Sequence, residues 1–221
     1  MTYQHRFADG SLVNLPMGKV VCVGRNYAEH AKELNNPVPT EPLLFIKPAS
    51  AVVDMAEPLV LPTGRGAVHY ETEIAVLIGE TLSGSVSETE AQAAILGVGL
   101  ALDLTLRELQ DDLKSKAHPW ERAKAFDGAC PLSMFVRREQ AGDLTSLPLQ
   151  LTINGELRQE GTSADMLTPI VALLRHIAPV FSLLPGDVVI TGTPKGVGPL
   201  NAGDELNASI PGLLSQVARV V

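Results

Sequence analysis

Cysteine is scarce in this sequence, with only Cys22 and Cys130 present, both in apolar surroundings. Two such residues do not make a disulfide scaffold or a zinc site, and buried free thiols are their usual state. No apolar run approaches the ~20 residues that a membrane span requires. The first residues also lack the apolar core of a signal peptide. These absences predict a cytoplasmic protein that does not bind membranes.

Basic residues are outnumbered by acidic ones. The sequence has 17 Lys and Arg against 25 Asp and Glu, which gives a formal net charge of −8 at pH 7. Nucleic-acid binding depends on clustered positive charge, so this balance argues against a nucleic-acid partner. A small anionic ligand remains compatible with the balance, because local basic side chains or a metal can hold one inside an acidic protein.

Short apolar segments separated by turns are abundant. The 221 residues are 45% hydrophobic, which suits one globular domain over residues 1–221. Asn154-Gly155 stands between two such segments and is a strong hairpin signal. Strand patterns outnumber helix patterns and do not alternate regularly with them. We therefore predict an α+β, β-rich fold built on a mixed sheet.

Two longer helices are predicted from their start signals. Thr105 and Glu108 have the spacing of a capping box, which predicts a helix from Thr105 to about Lys116. An apolar pattern covers residues 166–177, and Pro169 would lie in the first turn of that helix.

Two glutamates stand at the entrance to an apolar strand over residues 74–79. Side chains alternate across a strand, so Glu71 and Glu73 should share a face, roughly 6.5–7 Å apart along the backbone. Two like charges at this distance raise each other's pKa unless a cation lies between them. A divalent metal is the simplest such cation. The alternative is a solvated strand edge with two ordinary surface glutamates.

A third carboxylate, Asp103, stands near the end of a predicted strand over residues 97–104. Arg107 and Gln110 follow it at i and i+3 of the next helix, so they share a face. Three carboxylates supply only oxygen ligands, which favours Mg²⁺ or Mn²⁺ over zinc.

His30 is the strongest candidate for acid–base work. It lies in a predicted short helix over residues 28–34, and Glu33 follows one turn later. The carboxylate can orient the ring and raise its basicity, which would make His30 a general base able to activate water. A structural or surface histidine is the alternative.

A glycine-rich loop over residues 191–198 is the last candidate. Its order of residues is not that of a phosphate-binding loop. It is either a tight turn between strands or a site where backbone N–H groups and the Thr193 hydroxyl hold a carboxylate. Lys47 is either a pocket residue or simply the end of a strand, and we favour the second interpretation.

Five segments, in this order along the chain, resemble motifs of the fumarylacetoacetate hydrolase family. The similarity begins at about Lys19 and is greatest to the short, single-domain acylpyruvases and oxaloacetate tautomerases or decarboxylases. Glu108 departs from the pattern, since an Asp is common at that position. The segments are Arg25-Asn26-Tyr27-x-x-His30-x-x-Glu33, His69-Tyr70-Glu71-x-Glu73, Asp103-x-Thr105-x-Arg107-x-x-Gln110, Ala123-Lys124-x-Phe126-Asp127 and Thr191-Gly192-Thr193-Pro194-Lys195-Gly196-Val197-Gly198.

The resemblance implies a β-roll or sandwich of the fumarylacetoacetase C-terminal-domain type with short flanking helices, usually a homodimer. It also implies a role for each candidate residue. Glu71, Glu73 and Asp103 would hold Mg²⁺ or Mn²⁺. The catalytic residues would be His30, Glu33 and Lys124, and the substrate-binding residues would be Arg25, Arg107, Gln110 and Thr193.

The function we expect is hydrolysis of an acylpyruvate such as fumarylpyruvate or acetylpyruvate. A small 2-oxo acid would bind the metal, water activated by His30 and Glu33 would attack C4, and the enolate of pyruvate would leave. The alternative is an oxaloacetate keto–enol tautomerase or decarboxylase, or a related 2-hydroxy-dienoate isomerase. A non-catalytic carboxylate-binding homologue is a more distant alternative.

Overall fold

The computed structural model describes residues 3–221, so Met1 and Thr2, which open the segment without signal-peptide character, lie outside the described residues. The strands, in chain order, are β1 (Val20–Gly24), β2 (Leu43–Lys47), β3 (Val52–Asp54), β4 (Val68–Tyr70), β5 (Thr72–Ile78), β6 (Ile95–Leu102), β7 (Thr105–Leu106), β8 (Cys130–Leu132), β9 (Val136–Arg137), β10 (Pro148–Ile153), β11 (Glu156–Thr162), β12 (Val188–Ile190), β13 (Gly198–Pro199), β14 (Glu205–Ile210) and β15 (Leu214–Arg219). The α-helices are α1 (Ala28–Glu33), α2 (Glu88–Ala93), α3 (Arg107–Ser115), α4 (Glu121–Lys124) and α5 (Ile170–Ile177), and short 3₁₀ turns cover Ala49–Ala51, Arg138–Gln140 and Ser163–Asp165.

The strands form three sheets. The main sheet has the order β2-β1-β12-β5-β6-β8-β3, with β9 paired to β6. Most of its pairs are antiparallel, but β1 pairs with β12 and β3 with β8 in parallel. A second sheet has the order β11-β10-β14-β15, and a third, small one has the order β13-β4-β7. The arrangement confirms the predicted α+β, β-rich fold with a mixed sheet.

The core lies between the main and second sheets. Alternate side chains of β10 and β14, such as Leu151 and Ala208, point inward and are buried. They belong to the same apolar cluster as Val76 on β5 and Leu100 on β6. Burial on both faces explains why β5 reads as one continuous apolar run rather than an alternating one.

Two local predictions are confirmed. The Asn154-Gly155 pair joins β10 to β11, and both residues have positive φ, 54° and 82°, as a tight hairpin requires. The short helix predicted from Ala28 is α1. No helix among residues 3–221 has the length and apolar character needed to cross a membrane.

The predicted capping box at Thr105 and Glu108 is wrong. Thr105 lies in β7, and the helix begins at Arg107 without a side-chain cap. The Thr105 hydroxyl donates to the Asp103 carbonyl at 3.0 Å and accepts from Lys124 Nζ at 2.7 Å. Tertiary partners thus occupy the hydroxyl that would have capped the helix.

The apolar helix is shorter than predicted. It begins at Ile170 rather than Met166, and Pro169, with ψ of 155°, precedes the helix instead of lying in its first turn. The residues just before it form a 3₁₀ turn, Ser163–Asp165, and a connecting segment.

Candidate functional site

Three buried carboxylates meet where β5 begins and β6 ends. Glu71 lies in the break between β4 and β5, Glu73 is on β5, and Asp103 directly follows β6. The antiparallel pairing of β5 with β6 brings Asp103 beside Glu71, and the Asp103 amide donates to the Glu71 carbonyl at 2.8 Å. One oxygen from each carboxylate lies within 4.8 Å of the others. The side chains predicted as metal ligands are therefore brought together, although Glu71 is not on the strand that carries Glu73.

The two glutamates differ in their electrostatic surroundings. Burial, followed by the charges of Asp103 and Glu71, raises the pKa of Glu73 well above its ordinary value. Burial also acts to raise the pKa of Glu71, but the charges of Lys124 and Arg107 outweigh it and lower that pKa. A buried, all-oxygen donor set fits a hard divalent cation.

Lys124 supplies part of the compensating charge. Its Nζ lies 2.8 Å from Glu71 Oε2 and 2.6 Å from Asp103 Oδ2. Burial opposes the charge on this ammonium, but Asp103 and Glu71 raise the pKa of Lys124 above its ordinary value. The α4 helix thus places a permanent cation against two of the three carboxylates.

Lys47 is a residue of the site, which is the interpretation that we did not favour from the sequence. It is fully buried at the end of β2, and its Nζ lies 2.8 Å from Asp103 Oδ1. The same ammonium donates to the carbonyl of Ala129 at 3.0 Å and to that of Lys124. Lys47 shares its strand face with Phe45, which lines the cavity beside the carboxylates, a position that only the structure reveals.

His30 and Glu33 form the predicted pair on α1. His30 is buried, and its Nδ1 lies 3.2 Å from Glu33 Oε2. Glu33 Oε1 accepts from the Gly196 amide at 2.9 Å, which ties the helix to the glycine-rich loop. Glu33 therefore contacts both the histidine and the loop.

Seven of the ten predicted residues line one small cavity of about 30 Å³. Arg107 bridges two of its walls, because it donates to Glu71 and, at 2.7 Å, to Gln110 Oε1. Phe45 and Trp120 add apolar walls that were not predicted. The seven are Arg25, His30, Glu71, Asp103, Arg107, Gln110 and Lys124.

The other three predicted residues lie behind the cavity wall. Glu73 joins the carboxylate group and Glu33 supports His30, as described above. Thr193 donates its hydroxyl proton to the Thr72 carbonyl at 2.8 Å and accepts from Gln159 Nε2 at the same distance. Its single hydroxyl donor is therefore directed to the protein backbone.

A family model described as "Fumarylacetoacetate (FAA) hydrolase C-terminal" matches residues 19–221 of the chain. The chain belongs to the fumarylacetoacetate hydrolase family. The oxaloacetate tautomerase YcgM of Escherichia coli K12 is 52% identical over 211 residues, which cover 95% of this chain and 96% of that protein.

Two crystal structures of the fumarylacetoacetate hydrolase family or fold extend the comparison. A family protein of Yersinia pestis CO92 is 49% identical and superposes with a TM-score of 0.96, covering 99% of this chain and 100% of its own. The fumarylpyruvate hydrolase of Pseudomonas aeruginosa, in complex with Mn²⁺ and pyruvate, is 33% identical and superposes with a TM-score of 0.93. The match covers 100% of this chain and 96% of that one. The names of the relatives favour the predicted alternative, tautomerisation, over the acylpyruvate hydrolysis that we expected first.

Proposed function

We propose that this protein catalyses the keto–enol interconversion of oxaloacetate and that Glu71, Glu73 and Asp103 hold the Mg²⁺ or Mn²⁺ that it requires. The observation that carries the proposal is the buried carboxylate group facing a cavity of basic and amide side chains. When bound, a divalent ion would supply Lewis-acid polarisation of the substrate's 2-oxo group. The relative at 52% identity is named for this reaction.

The reaction moves one proton between the enol oxygen on C2 and the carbon C3. His30 accepts the hydroxyl proton of the enol and returns a proton to C3, which gives the ketone and restores the neutral imidazole. Glu33 holds Nδ1–H of the ring, at 3.2 Å, which leaves Nε2 unprotonated as the general base. Both forms have the same atoms, so no water or redox partner is needed.

The remaining side chains hold the substrate and its developing charge. Arg107 donates a hydrogen bond to Gln110 Oε1 at 2.7 Å, and the two side chains present further N–H donors to a carboxylate of the substrate. Lys124 stabilises the developing negative charge through its own positive charge, because its three donors are directed to Glu71, Asp103 and Thr105. Arg25 adds a second guanidinium on the cavity wall. We assign the Thr193 contact to its backbone amide, because its hydroxyl proton is donated to Thr72.

Acylpyruvate hydrolysis is the second candidate, and the His30–Glu33 pair specifically favours it. Tautomerisation consumes no water, whereas hydrolysis adds water to the C4 carbonyl and breaks the C3–C4 bond to give a carboxylic acid and pyruvate. A histidine oriented by a carboxylate is suited to activating that water. The similar fumarylpyruvate hydrolase, crystallised with Mn²⁺ and pyruvate, adds support.

A substrate panel tests both candidates. Enol oxaloacetate, keto oxaloacetate, acetylpyruvate and fumarylpyruvate are assayed with Mg²⁺, with Mn²⁺ and with EDTA. We expect rapid enol-to-keto conversion that EDTA abolishes. Pyruvate release from an acylpyruvate without tautomerisation would instead select the second candidate. Metal-dependent oxalate binding with no turnover of any compound would indicate a non-catalytic binding protein.

A further inference from the structure

Gln159 is a buried glutamine on a strand whose neighbouring side chains are exposed. It is 1% exposed, whereas Leu157 is 55% exposed, although residues two apart on a regular strand share a face. The register of β10 and β11 shifts here, since Leu151 pairs with Gln159 and Thr152 pairs with Leu157, which leaves Arg158 as an extra residue. Such a bulge redirects the side chains that follow it, and here it turns Gln159 inward.

The Gln159 amide joins two parts of the site. Its Oε1 accepts from the Thr72 amide at 2.9 Å, and Thr72 stands between the two glutamates of the carboxylate group. Its Nε2 donates to Thr193 Oγ1 and to the Pro194 carbonyl, each at 2.8 Å. One side chain thus links the strand that carries Glu73 to the glycine-rich loop.

Residues 192–196, the bracing loop, hold two carboxylates of the site through their amides. The Gly192 amide donates to Glu73 Oε2 at 2.7 Å, and the Gly196 amide donates to Glu33 Oε1 at 2.9 Å. A shift of this loop would therefore move a carboxylate of the candidate metal centre and the partner of His30 together.

The bracing loop packs directly on the bulged strand. A Cβ on Gly196 would lie 2.1 Å from the Arg158 carbonyl oxygen, and one on Gly161 would lie 2.8 Å from Pro194 Cβ. Contacts this close leave no room for a side chain at either glycine. Gln159 stands between Arg158 and Gly161 on β11, and its hydrogen bonds to Thr193 and Pro194 fix the position of the loop along the strand.

We propose that Gln159 is a positioning residue, which sets the bracing loop so that Gly196 holds Glu33 against His30 and Gly192 orients Glu73. The catalytic consequence rests on the function proposed above. Small displacements of acid–base groups reduce turnover by large factors, on the order of tenfold to a hundredfold. We therefore expect loss of the Gln159 contacts to reduce kcat by about that range without removing any cavity side chain.

Hydrogen exchange of the backbone amides tests the structural link without any turnover. Gln159→Met keeps the size of the side chain and removes all three hydrogen bonds. Gln159→Glu keeps the acceptor for Thr72, and therefore the fold, but places an oxygen against the Pro194 carbonyl. In both variants we expect faster exchange at Gly192, Gly196 and α1, with β6 and the part of β5 after Thr72 unchanged. Unchanged exchange in the loop of either folded variant would overturn the proposal.

A double-mutant cycle tests the catalytic link. If Gln159 acts through Glu33, adding Gln159→Met to Glu33→Gln should reduce kcat little further, whereas independent effects would multiply. Multiplying effects would overturn the proposed route. Gln150→Met, a glutamine of β10 whose side chain meets Glu160 on the exposed face, is the control and should leave kcat unchanged. If the wild type turns over no substrate, the proposed function fails and the exchange result alone decides the role of Gln159.

Discussion

Glu73 carries the least compensated charge of the three carboxylates. Glu71 contacts Lys124 and Arg107, and Asp103 contacts Lys47 and Lys124, each through an ion pair. Glu73 instead accepts from a backbone amide, that of Gly192, and its pKa is raised by burial and by the other two carboxylates. A divalent cation would therefore relieve more repulsion at Glu73 than at its neighbours.

Glu73→Gln should keep the stability of the metal-free protein and abolish the additional stability that Mn²⁺ confers. Burial and the charges of Asp103 and Glu71 raise the folded pKa of Glu73 above its unfolded value, so the charged form of this carboxyl destabilises the metal-free fold as the pH rises above the unfolded pKa. We expect the metal-free variant to be at least as stable as the wild type, because the amide still accepts from Gly192. Thermal unfolding with and without Mn²⁺ measures this, and the stabilisation by Mn²⁺ should disappear.

Activity should be lost from Glu73→Gln, and from Glu71→Gln, in parallel with the metal. Calorimetric titration of Mn²⁺ and the tautomerase assay report the two losses, with exposed Glu88→Gln as the control. Turnover that persists in a variant that no longer binds metal would contradict the metal centre.

Arg25 has a backbone conformation that arginine rarely adopts. Its φ is 60°, in the left-handed region, which costs a non-glycine residue about 1–2 kcal/mol. Its guanidinium donates to Asn36 Oδ1 at 2.8 Å, and among residues 3–221 no carboxylate is paired with it. A strained residue that presents an uncompensated cation to the cavity is suited to binding an anionic substrate.

Arg25→Asn should separate binding from stability. Asparagine tolerates positive φ well, so the melting temperature should not fall, while the KM for oxaloacetate should rise about tenfold from loss of a charged hydrogen bond. Arg25→Lys is the matched variant, since it keeps both the charge and the strain. Unfolding curves and steady-state kinetics of the two variants decide the matter, and an unchanged KM in Arg25→Asn would remove Arg25 from the substrate site.

Single residues also mark the boundary of what the sequence predicts. The carboxylates, His30 and Arg107 are recognisable because their spacing reflects one strand face or one helix turn. Lys47 and Gln159 are not, because their roles depend on partners 34 or more residues away, Asp103 for the first and Thr72 and Thr193 for the second. Nothing in their immediate sequence distinguishes them from ordinary surface residues.

At the scale of the element, Asn26, two residues before α1, attaches the start of this helix to the rest of the fold. Asn26 Nδ2 donates to the carbonyls of Thr168 at 3.0 Å and Thr191 at 2.8 Å, and its Oδ1 accepts from the Thr168 amide at 2.8 Å. These bonds attach the start of a six-residue helix to the end of β12. A helix this short is marginal by itself, so the attachment determines where His30 lies.

Asn26→Asp should loosen α1 with little change in side-chain shape. The new carboxylate would face two carbonyl oxygens, which leaves buried polar groups unpaired and should lower the free energy of unfolding by about 1–3 kcal/mol. kcat/KM should fall further than this loss of global stability explains, because His30 and Glu33 move with the helix. Chemical denaturation and kinetics test it, with exposed Asn201→Asp as the control. An effect on stability alone would argue against α1 as the affected element.

Elements were predictable where local signals decide them. The Asn154-Gly155 hairpin depends on turn chemistry and α1 depends on a run of helix-forming residues, and the sequence displays both directly. The start of α3 depends on a choice between local capping and strand pairing with β4, and pairing prevails because Thr105 also bonds to Lys124. A local sequence pattern cannot predict the outcome, because β4 and Lys124 are distant in sequence from one another.

For the whole molecule, His5 makes stability depend on pH. Its ring is fully buried between Tyr3 and Phe135, with Nε2 3.0 Å from the Gly186 carbonyl. Burial lowers the pKa of His5, so the unfolded chain binds a proton near pH 6.5 while the folded chain does so only at lower pH.

Stability should therefore fall as the pH drops below about 6.5, by up to about 1.4 kcal/mol per pH unit until the folded pKa is reached. His5→Gln should flatten this part of the curve because it removes the titrating group and keeps a donor. Exposed His118→Gln is the control and should retain the wild-type profile. Denaturation curves between pH 5 and pH 8 are the measurement, and equal slopes in all three proteins would exclude His5 as the cause.

The oligomeric state is a further property of the whole molecule, and we propose the homodimer that the family resemblance implies. Val60 and Val221 are 73% and 61% exposed, and they are neighbours because the Val221 amide donates to the Leu59 carbonyl at 3.0 Å. Contiguous exposed apolar patches mark protein–protein contacts, and we place the dimer contact at this pair of valines. Light scattering should give twice the mass of one chain, and a single-chain mass at micromolar concentration would contradict the proposal.

The position of Trp120 has a practical consequence. It is the only tryptophan in the sequence, and it lines the cavity, with the Phe45 ring 6.0 Å away and Lys114 Nζ 5.5 Å from its ring centre. Light absorbed by tryptophan in this protein is therefore absorbed at the site alone. Its intrinsic fluorescence becomes a reporter of ligand arrival that needs no label and no turnover, so stopped-flow emission can time the binding step separately from proton transfer.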